Sequence, residues 1–170
     1  MQLKLIDTNK NVYIRTPRKS RPTVFDENYK YQYGKADVVK DGDDVTIAAT
    51  GIMVYEALEA AKILDAEGIS AEVISVNTIK PIDEKTILDS IRKTNCVVTC
   101  ENNNIKGGLY SVVSEMLCSN YPTVCAPIGV YDEFGQVGKY SDLLAAYHLT
   151  PEDIVAKVKE VIKKKQKENK

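Results

Sequence analysis

This 170-residue chain has only one histidine, His148, and four cysteines. With no second histidine and the cysteines spread apart, a transition-metal site is not expected. Cys96 and Cys100 share the apolar run Cys96-Val97-Val98-Thr99-Cys100, which reads as a strand. Four strand steps of about 3.3 Å set them roughly 13 Å apart, too far for one disulfide or one metal ion. Cysteines without a pairing pattern point to reduced thiols and a cytoplasmic setting. His148 stands beside a helix cap, and no Ser, Cys or carboxylate triad can be assembled around it, so it reads as a surface residue.

Long apolar runs are also missing. The longest stretches, such as Val45-Thr46-Ile47-Ala48-Ala49, fall well short of the ~20 residues that span a bilayer, and Met1 to Lys10 has no apolar signal-peptide core. Nor is there an excess of one charge: 23 Lys and Arg face 24 Asp and Glu, a formal net charge of −1. That balance gives no electrostatic case for nucleic acid or an anionic membrane as partner. The Lys-rich tail, Lys163 to Lys170, reads as a helix end whose cations complement the helix dipole, with a nucleic-acid arm as the alternative. The chain has neither a Gly-x-Gly-x-x-Gly dinucleotide signature nor a Gly-x4-Gly-Lys-Ser/Thr phosphate loop. It shows no internal repeat.

What remains is an ordinary globular composition, 44% apolar and 28% charged, of a length that suits one domain with a short appendage. Residues 1–34 carry a net charge of +4 and the remainder about −5. That first segment holds Pro17, Pro22 and several aromatic residues with little helical periodicity. It reads as a short strand, Asn11 to Thr16, followed by an extended linker; a strand without local partners belongs to a sheet elsewhere.

From Lys35 the pattern is regular. Strands are predicted at Ala36–Lys40 and Val45–Ala49, joined by the turn Asp41-Gly42-Asp43-Asp44, and at 71–76, 96–100 and 123–130. Helices are predicted from Met53 to Glu67 with Gly68 as C-terminal cap, from about Asp83 to Lys93, from Gly107 to about Asn120, from Asp142 to Tyr147, and from Pro151 onward. Alternating strands and helices on short connections predict a three-layer α/β/α fold. Its sheet has five strands, mostly parallel, with the first strand antiparallel.

In such a sheet ligands sit beyond the carboxyl ends of the strands. That edge offers Thr50-Gly51, Asn77-Thr78, Glu101-Asn102-Asn103-Asn104 and Asp132-Glu133-Phe134-Gly135. The most specific constellation is Glu101 to Gly108, where a carboxylate and three amides leave a strand and Gly107-Gly108 open a helix. Paired glycines there allow close approach and aim free N–H groups at an anion. Two readings stand side by side: an anion site at Glu101, Asn103, Gly107 and Gly108, or tight packing of helix on sheet or on a partner subunit. The body of the chain offers no catalytic apparatus of its own.

Tyr13-Ile14-Arg15-Thr16-Pro17-Arg18 followed by Gly34-Lys35-Ala36 resembles the end of the pyrimidine-binding domain of transketolase and its linker. Ile47-Ala48-Ala49-Thr50-Gly51 and Val76-Asn77-Thr78-Ile79-Lys80-Pro81-Ile82-Asp83 are similar to the opening of the transketolase C-terminal domain. Glu101 to Leu109 resembles that family's strand-end motif, Glu-(Glu/Asp)-His followed by Gly-Gly. Asp132 to Gly138 and Tyr147-His148-Leu149-Thr150 resemble its closing motifs.

The resemblance implies a division at residue 34. Residues 1–34 would be the tail of the pyrimidine-binding domain plus linker, and 35–170 the C-terminal domain. It further implies a C-terminal section serving assembly, dimer contacts and regulation in an enzyme that moves two-carbon ketol units between sugar phosphates. That enzyme uses thiamine diphosphate and Mg2+; the motifs that hold them, Gly-Asp-Gly and an activating Glu, are absent here. The section alone is therefore expected to bind no cofactor and to be inactive, and to need an N-terminal section as partner. A homodimer in the cytoplasm is the expected assembly. By the same resemblance Arg15 helps bind the substrate phosphate, a task suited to a guanidinium fork, while Arg18 is structural. Asn103 stands where the family has His, and Val137 replaces a small polar residue. The alternatives are a non-catalytic α/β anion-binding module, or the same domain from a 2-oxo acid dehydrogenase beta subunit or deoxyxylulose-phosphate synthase.

Overall fold

Val45–Ala49 is apolar at nearly every position, which suits a strand covered on both faces. In the computed structural model, which describes residues 11–17 and 22–168, this strand lies at the centre of a five-stranded sheet. In chain order the elements are β1 (Asp37–Lys40), β2 (Val45–Ala49), α1 (Met53–Ala66), β3 (Ala71–Ser75), α2 (Glu84–Thr94), β4 (Cys96–Asn104), α3 (Leu109–Asn120), β5 (Val124–Val130), α4 (Tyr140–Ala146) and α5 (Pro151–Glu168). The spatial order is β1-β3-β2-β4-β5. β1 runs antiparallel to β3, and the remaining neighbours are parallel.

Alternation along the strands builds two cores. Val45, Ile47, Ala49, Val73, Val98 and Cys100 face α1, α4 and α5. Ala48, Ile74 and Val97 face α2 and α3, where Ile87, Ile91, Leu109 and Val113 close the opposite layer. The three-layer α/β/α expectation and its one antiparallel strand are thus what the chain adopts. No described helix is long and apolar enough to cross a membrane.

Local signals explain the helix ends. α1 stops before Gly68, whose φ of +80° lets the N–H groups of Gly68 and Ile69 return to Asp65 and Leu64 carbonyls. Thr150 and Asp153 cap α5 reciprocally: Asp153 N–H donates to Thr150 Oγ1 (3.3 Å) and Thr150 N–H to Asp153 Oδ2 (3.1 Å). Lys165 Nζ, near the end of α5, donates to Thr94 O (2.7 Å) and Asp44 O (3.1 Å). One cation of the Lys-rich tail therefore sits at the carbonyl end of α2.

The structure departs from the sequence expectations at three places. Residues 11–17 form no strand with the described residues; the strand expected at Asn11–Thr16 takes its ladder partner from a sheet elsewhere, which the described residues do not include. β1 and β2 do not pair across Asp41–Asp44, because β3 lies between them. Gly42 passes over the start of β3 so closely that a Cβ there would lie 2.2 Å from Ala71 C, and the Asp43 and Asp44 N–H groups bond Ser70 O. Finally, β4 does not end at Cys100. It continues through Asn104 across a register irregularity, so Glu101 to Asn104 are strand rather than loop. Arg18 and the final residues of the Lys-rich tail lie outside the described residues.

The linker is strapped to the sheet edge. Tyr31 is buried and its hydroxyl lies 3.1 Å from Thr78 Oγ1. Tyr29, stacked on Phe25, donates to Asp37 Oδ2 at 2.6 Å, and Asn77 Nδ2 donates to the same oxygen at 2.9 Å. Burial first, and then the Asp37 carboxylate, hold the Tyr29 hydroxyl above its ordinary pKa.

Candidate functional site at the carboxyl edge of the sheet

β4 brings Glu101 out of the core side of the sheet, and its carboxylate never reaches solvent. Oε2 accepts Leu109 N–H and Oε1 accepts Tyr110 N–H, both at 2.9 Å. These are the first two N–H groups of α3, which have no partner within the helix itself. The carboxylate thus occupies the positive end of the helix from inside the protein.

Gly108 makes room for it: a Cβ at that position would lie 1.9 Å from Glu101 Oε2 and 2.7 Å from Asn104 O. Gly107, by contrast, has open space around it and a φ of +79°. The first glycine turns the chain, and the second admits the carboxylate.

Asn103 continues outward from Glu101. Its Nδ2 donates to Glu101 Oε2 at 2.6 Å and to Asn104 O at 3.2 Å. Its Oδ1 accepts from Arg15 Nη1 at 2.9 Å, while Arg15 Nη2 donates to Asn102 O at 3.3 Å. Arg15 and the Glu101–Gly108 motif, separate in the sequence, therefore form one connected group running from solvent to the start of α3. The cation beside Asn103 is Arg15, not the neighbouring Lys106. Lys106 instead pairs with Asp132 at 2.6 Å, and its hydrogen bond, with a second from Asn104, holds the Asp132 carboxyl below its ordinary pKa.

The other positions on this edge have different engagements. Asn77 and Thr78 are taken by the linker strap. Thr50 N–H bonds Cys100 O at 3.0 Å, and Gly51 has a φ of +59° beside Asn102. Phe134 and Val137 project from the loop after β5 almost fully exposed. Tyr147 steadies that loop, its hydroxyl donating to Phe134 O (2.9 Å) and accepting from Gln136 N–H (2.8 Å). His148 lies at the surface, 3.4 Å from Asp153, remote from this group.

Cys96 and Cys125 are free thiols whose pKa values burial pushes up to about 11 and 12; burial also raises Cys100. None of these three is an activated nucleophile. Among the described residues no group of three His, Cys, Asp or Glu side chains could hold a metal ion. The Arg15–Asn103 contact joins residues 88 apart, and no local sequence signal announces it.

Known proteins show the same arrangement of chain. Residues 34–154 match the family described as "Transketolase, C-terminal domain". The chain is 46% identical to the 6-deoxy-6-sulfo-D-fructose transketolase subunit of Clostridium sp. (strain MSTE9), over 91% of this chain and 48% of that protein. It is 38% identical to a 1-deoxy-D-xylulose-5-phosphate synthase of Pelotomaculum thermopropionicum, over 86% of this chain and 24% of that one. A solved structure titled "Split gene transketolase, inactive beta4 tetramer" superposes with a TM-score of 0.84 at 43% identity, covering 87% of this chain and 48% of the other. The chain therefore spans about half the length of the transketolase subunit and of the split-gene structure it matches. A family match over most of the chain and a shared sheet topology agree: this chain belongs to the transketolase C-terminal domain family.

Proposed function

We propose that the chain is the C-terminal section of a transketolase assembled from separate sections, a cytoplasmic homodimeric enzyme that transfers two-carbon ketol units between sugar phosphates. Residues 1–34 are assigned to the tail of the pyrimidine-binding domain with its linker, and residues 35–170 to the C-terminal domain. Thiamine diphosphate with Mg2+ supplies the carbanion chemistry in such an enzyme. The sequence has no Gly-Asp-Gly motif, and this reading assigns the cofactor to the N-terminal section. This chain contributes assembly, dimer contacts and one substrate-facing group.

The observation that carries this reading is Arg15, an exposed guanidinium held at the carboxyl edge of the sheet by Asn103 and Asn102. A planar fork of N–H donors that stays charged at every working pH suits the phosphate end of a sugar. Similarity to a transketolase subunit and to a split-gene transketolase favours a transketolase section over a free-standing anion-binding module.

The test is reconstitution. The chain alone is expected to show no ketol transfer and no magnesium-dependent binding of thiamine diphosphate by calorimetry; mixed with its N-terminal section it gains both. Activity of the chain alone would refute the assignment. In the reconstituted enzyme, Arg15→Ala should raise KM for a phosphorylated ketose by roughly 10- to 150-fold, the loss of one charge-assisted contact of about 1.5–3 kcal/mol. Equal effects on phosphorylated and unphosphorylated ketoses would remove Arg15 from the phosphate site.

A further inference from the structure

Arg15 leaves a segment that has no ladder partner among the described residues, and an arginine side chain carries about 2 kcal/mol of rotamer entropy. Left to itself, the guanidinium would have to be ordered each time it met an anion, at a cost in affinity. Here it is ordered beforehand. We propose that Asn103 is a positioning residue that holds Arg15 in place for the anionic end of the substrate. The inference rests on the reading that Arg15 meets that end.

The chemistry of the contacts fixes the direction of the arrangement. Arginine can only donate, so the Asn103 carbonyl oxygen must face Arg15. That leaves the Asn103 amide NH2 for Glu101 Oε2. Glu101 is in turn held by the Leu109 and Tyr110 N–H groups at the start of α3. Each link admits one orientation, and the series ends in a carboxylate that is fully buried. Rigidity at the helix start is thereby passed to a solvent-exposed side chain.

Asn103 is also neutral. An aspartate could hold Arg15, but it would cancel the charge that an anion needs and would set a second carboxylate against Glu101. The amide anchors the guanidinium and leaves its charge available. Among the described residues two of the five Arg15 N–H groups are taken, by Asn103 Oδ1 and Asn102 O, and three remain for a ligand.

The experiment is a double-mutant cycle in the enzyme reconstituted with its N-terminal section, with D-fructose 6-phosphate and D-fructose as the two ketoses. Asn103→Leu should lower the ratio of kcat/KM for the phosphate over the free sugar by roughly 5- to 10-fold, within the range of couplings between residues in contact. In an Arg15→Ala background the same substitution should change that ratio no further. A full additional loss in that background would overturn the proposal, because Asn103 would then act without Arg15. An equal loss on both sugars would overturn it too.

Should Asn103→Leu fail to fold, Asn103→Ser is the second variant, a small polar side chain too short to reach Arg15. On the full 170-residue chain, 15N NMR of the Arg15 guanidinium should show slow rotation in the wild type and fast rotation in Asn103→Ser. Identical rotation in both would overturn the proposal without reference to catalysis. An Arg15→Ala enzyme with unchanged phosphate preference would instead refute the assignment of Arg15, even where the NMR shows that Asn103 holds it.

Discussion

Gly108→Ala adds one methyl group to the chain at the place least able to take it. The Gly108 backbone has φ −98° and ψ −154°, a conformation open to any residue, so the substitution carries no backbone strain. Its cost is spatial. The new Cβ falls 1.9 Å from Glu101 Oε2 and 2.7 Å from both Glu101 Cδ and Asn104 O, so either the carboxylate moves or α3 does. Moving the carboxylate breaks two 2.9 Å bonds to the Leu109 and Tyr110 N–H groups. Bonds of this type contribute about 1.5–3 kcal/mol each, and some of that returns through relaxation. A net loss of about 3–5 kcal/mol follows, a large part of the roughly 5–15 kcal/mol typical of a whole domain.

For a chain of this length about 1 kcal/mol shifts Tm by ~2–4 °C, so thermal unfolding followed by circular dichroism should show a fall of about 6–20 °C. Gly107→Ala is the control. It meets nothing within 4 Å but stands at φ +79°, so its cost is the left-handed backbone alone, about 1–2 kcal/mol. Adding Gly108→Ala to a Glu101→Ala chain, where the contacts with the carboxylate are gone and only the 2.7 Å approach to Asn104 O remains, should cost less than in the wild type. A Gly108→Ala chain within about 2 °C of wild type, or full additivity with Glu101→Ala, would refute the steric argument.

Two further outcomes follow from the core. Thr46 Oγ1 lies 2.7 Å from both Ser90 Oγ and Thr94 Oγ1 in a buried group beneath α2. Thr46→Val keeps the shape and strands Ser90 Oγ, while Thr94 Oγ1 keeps the Ser90 and Cys96 carbonyls; the substitution should cost about 1–3 kcal/mol in urea unfolding. Asp83 caps α2 and accepts from Ala36 N–H and Thr86. Burial pushes its pKa up, but those hydrogen bonds and Lys35 outweigh it, so the folded value lies below the ordinary one. A depressed folded pKa gives stability that is present above the unfolded pKa of about 3.9 and is lost as pH falls through the folded value. Asp83→Asn should therefore be less stable than wild type at neutral pH, and the difference should close in acid. A constant difference across the acid range would show that Asp83 acts through shape alone.

Much of the fold could be read along the chain because it is written in local periodicity. Apolar residues on one helix face, a capping pair at Thr150 and Asp153, and a glycine at position 68 each act within a few residues of themselves. Glu101 and the paired glycines were visible as a motif for the same reason. Which strand lies beside which is a different matter. The turn at Asp41–Asp44 joins β1 to β2 along the chain, but the place between them is taken by β3, a strand from further along whose backbone Gly42 admits at close range. Asn11–Thr16 has the composition of a strand, yet a strand exists only where another backbone offers its ladder. The link from Arg15 through Asn103 to Glu101 depends on the sheet edge and the N-terminal segment meeting in space. Residue types at positions 15 and 103 permit that contact; only the folded chain brings a donor that can only give to an amide whose other end is already engaged.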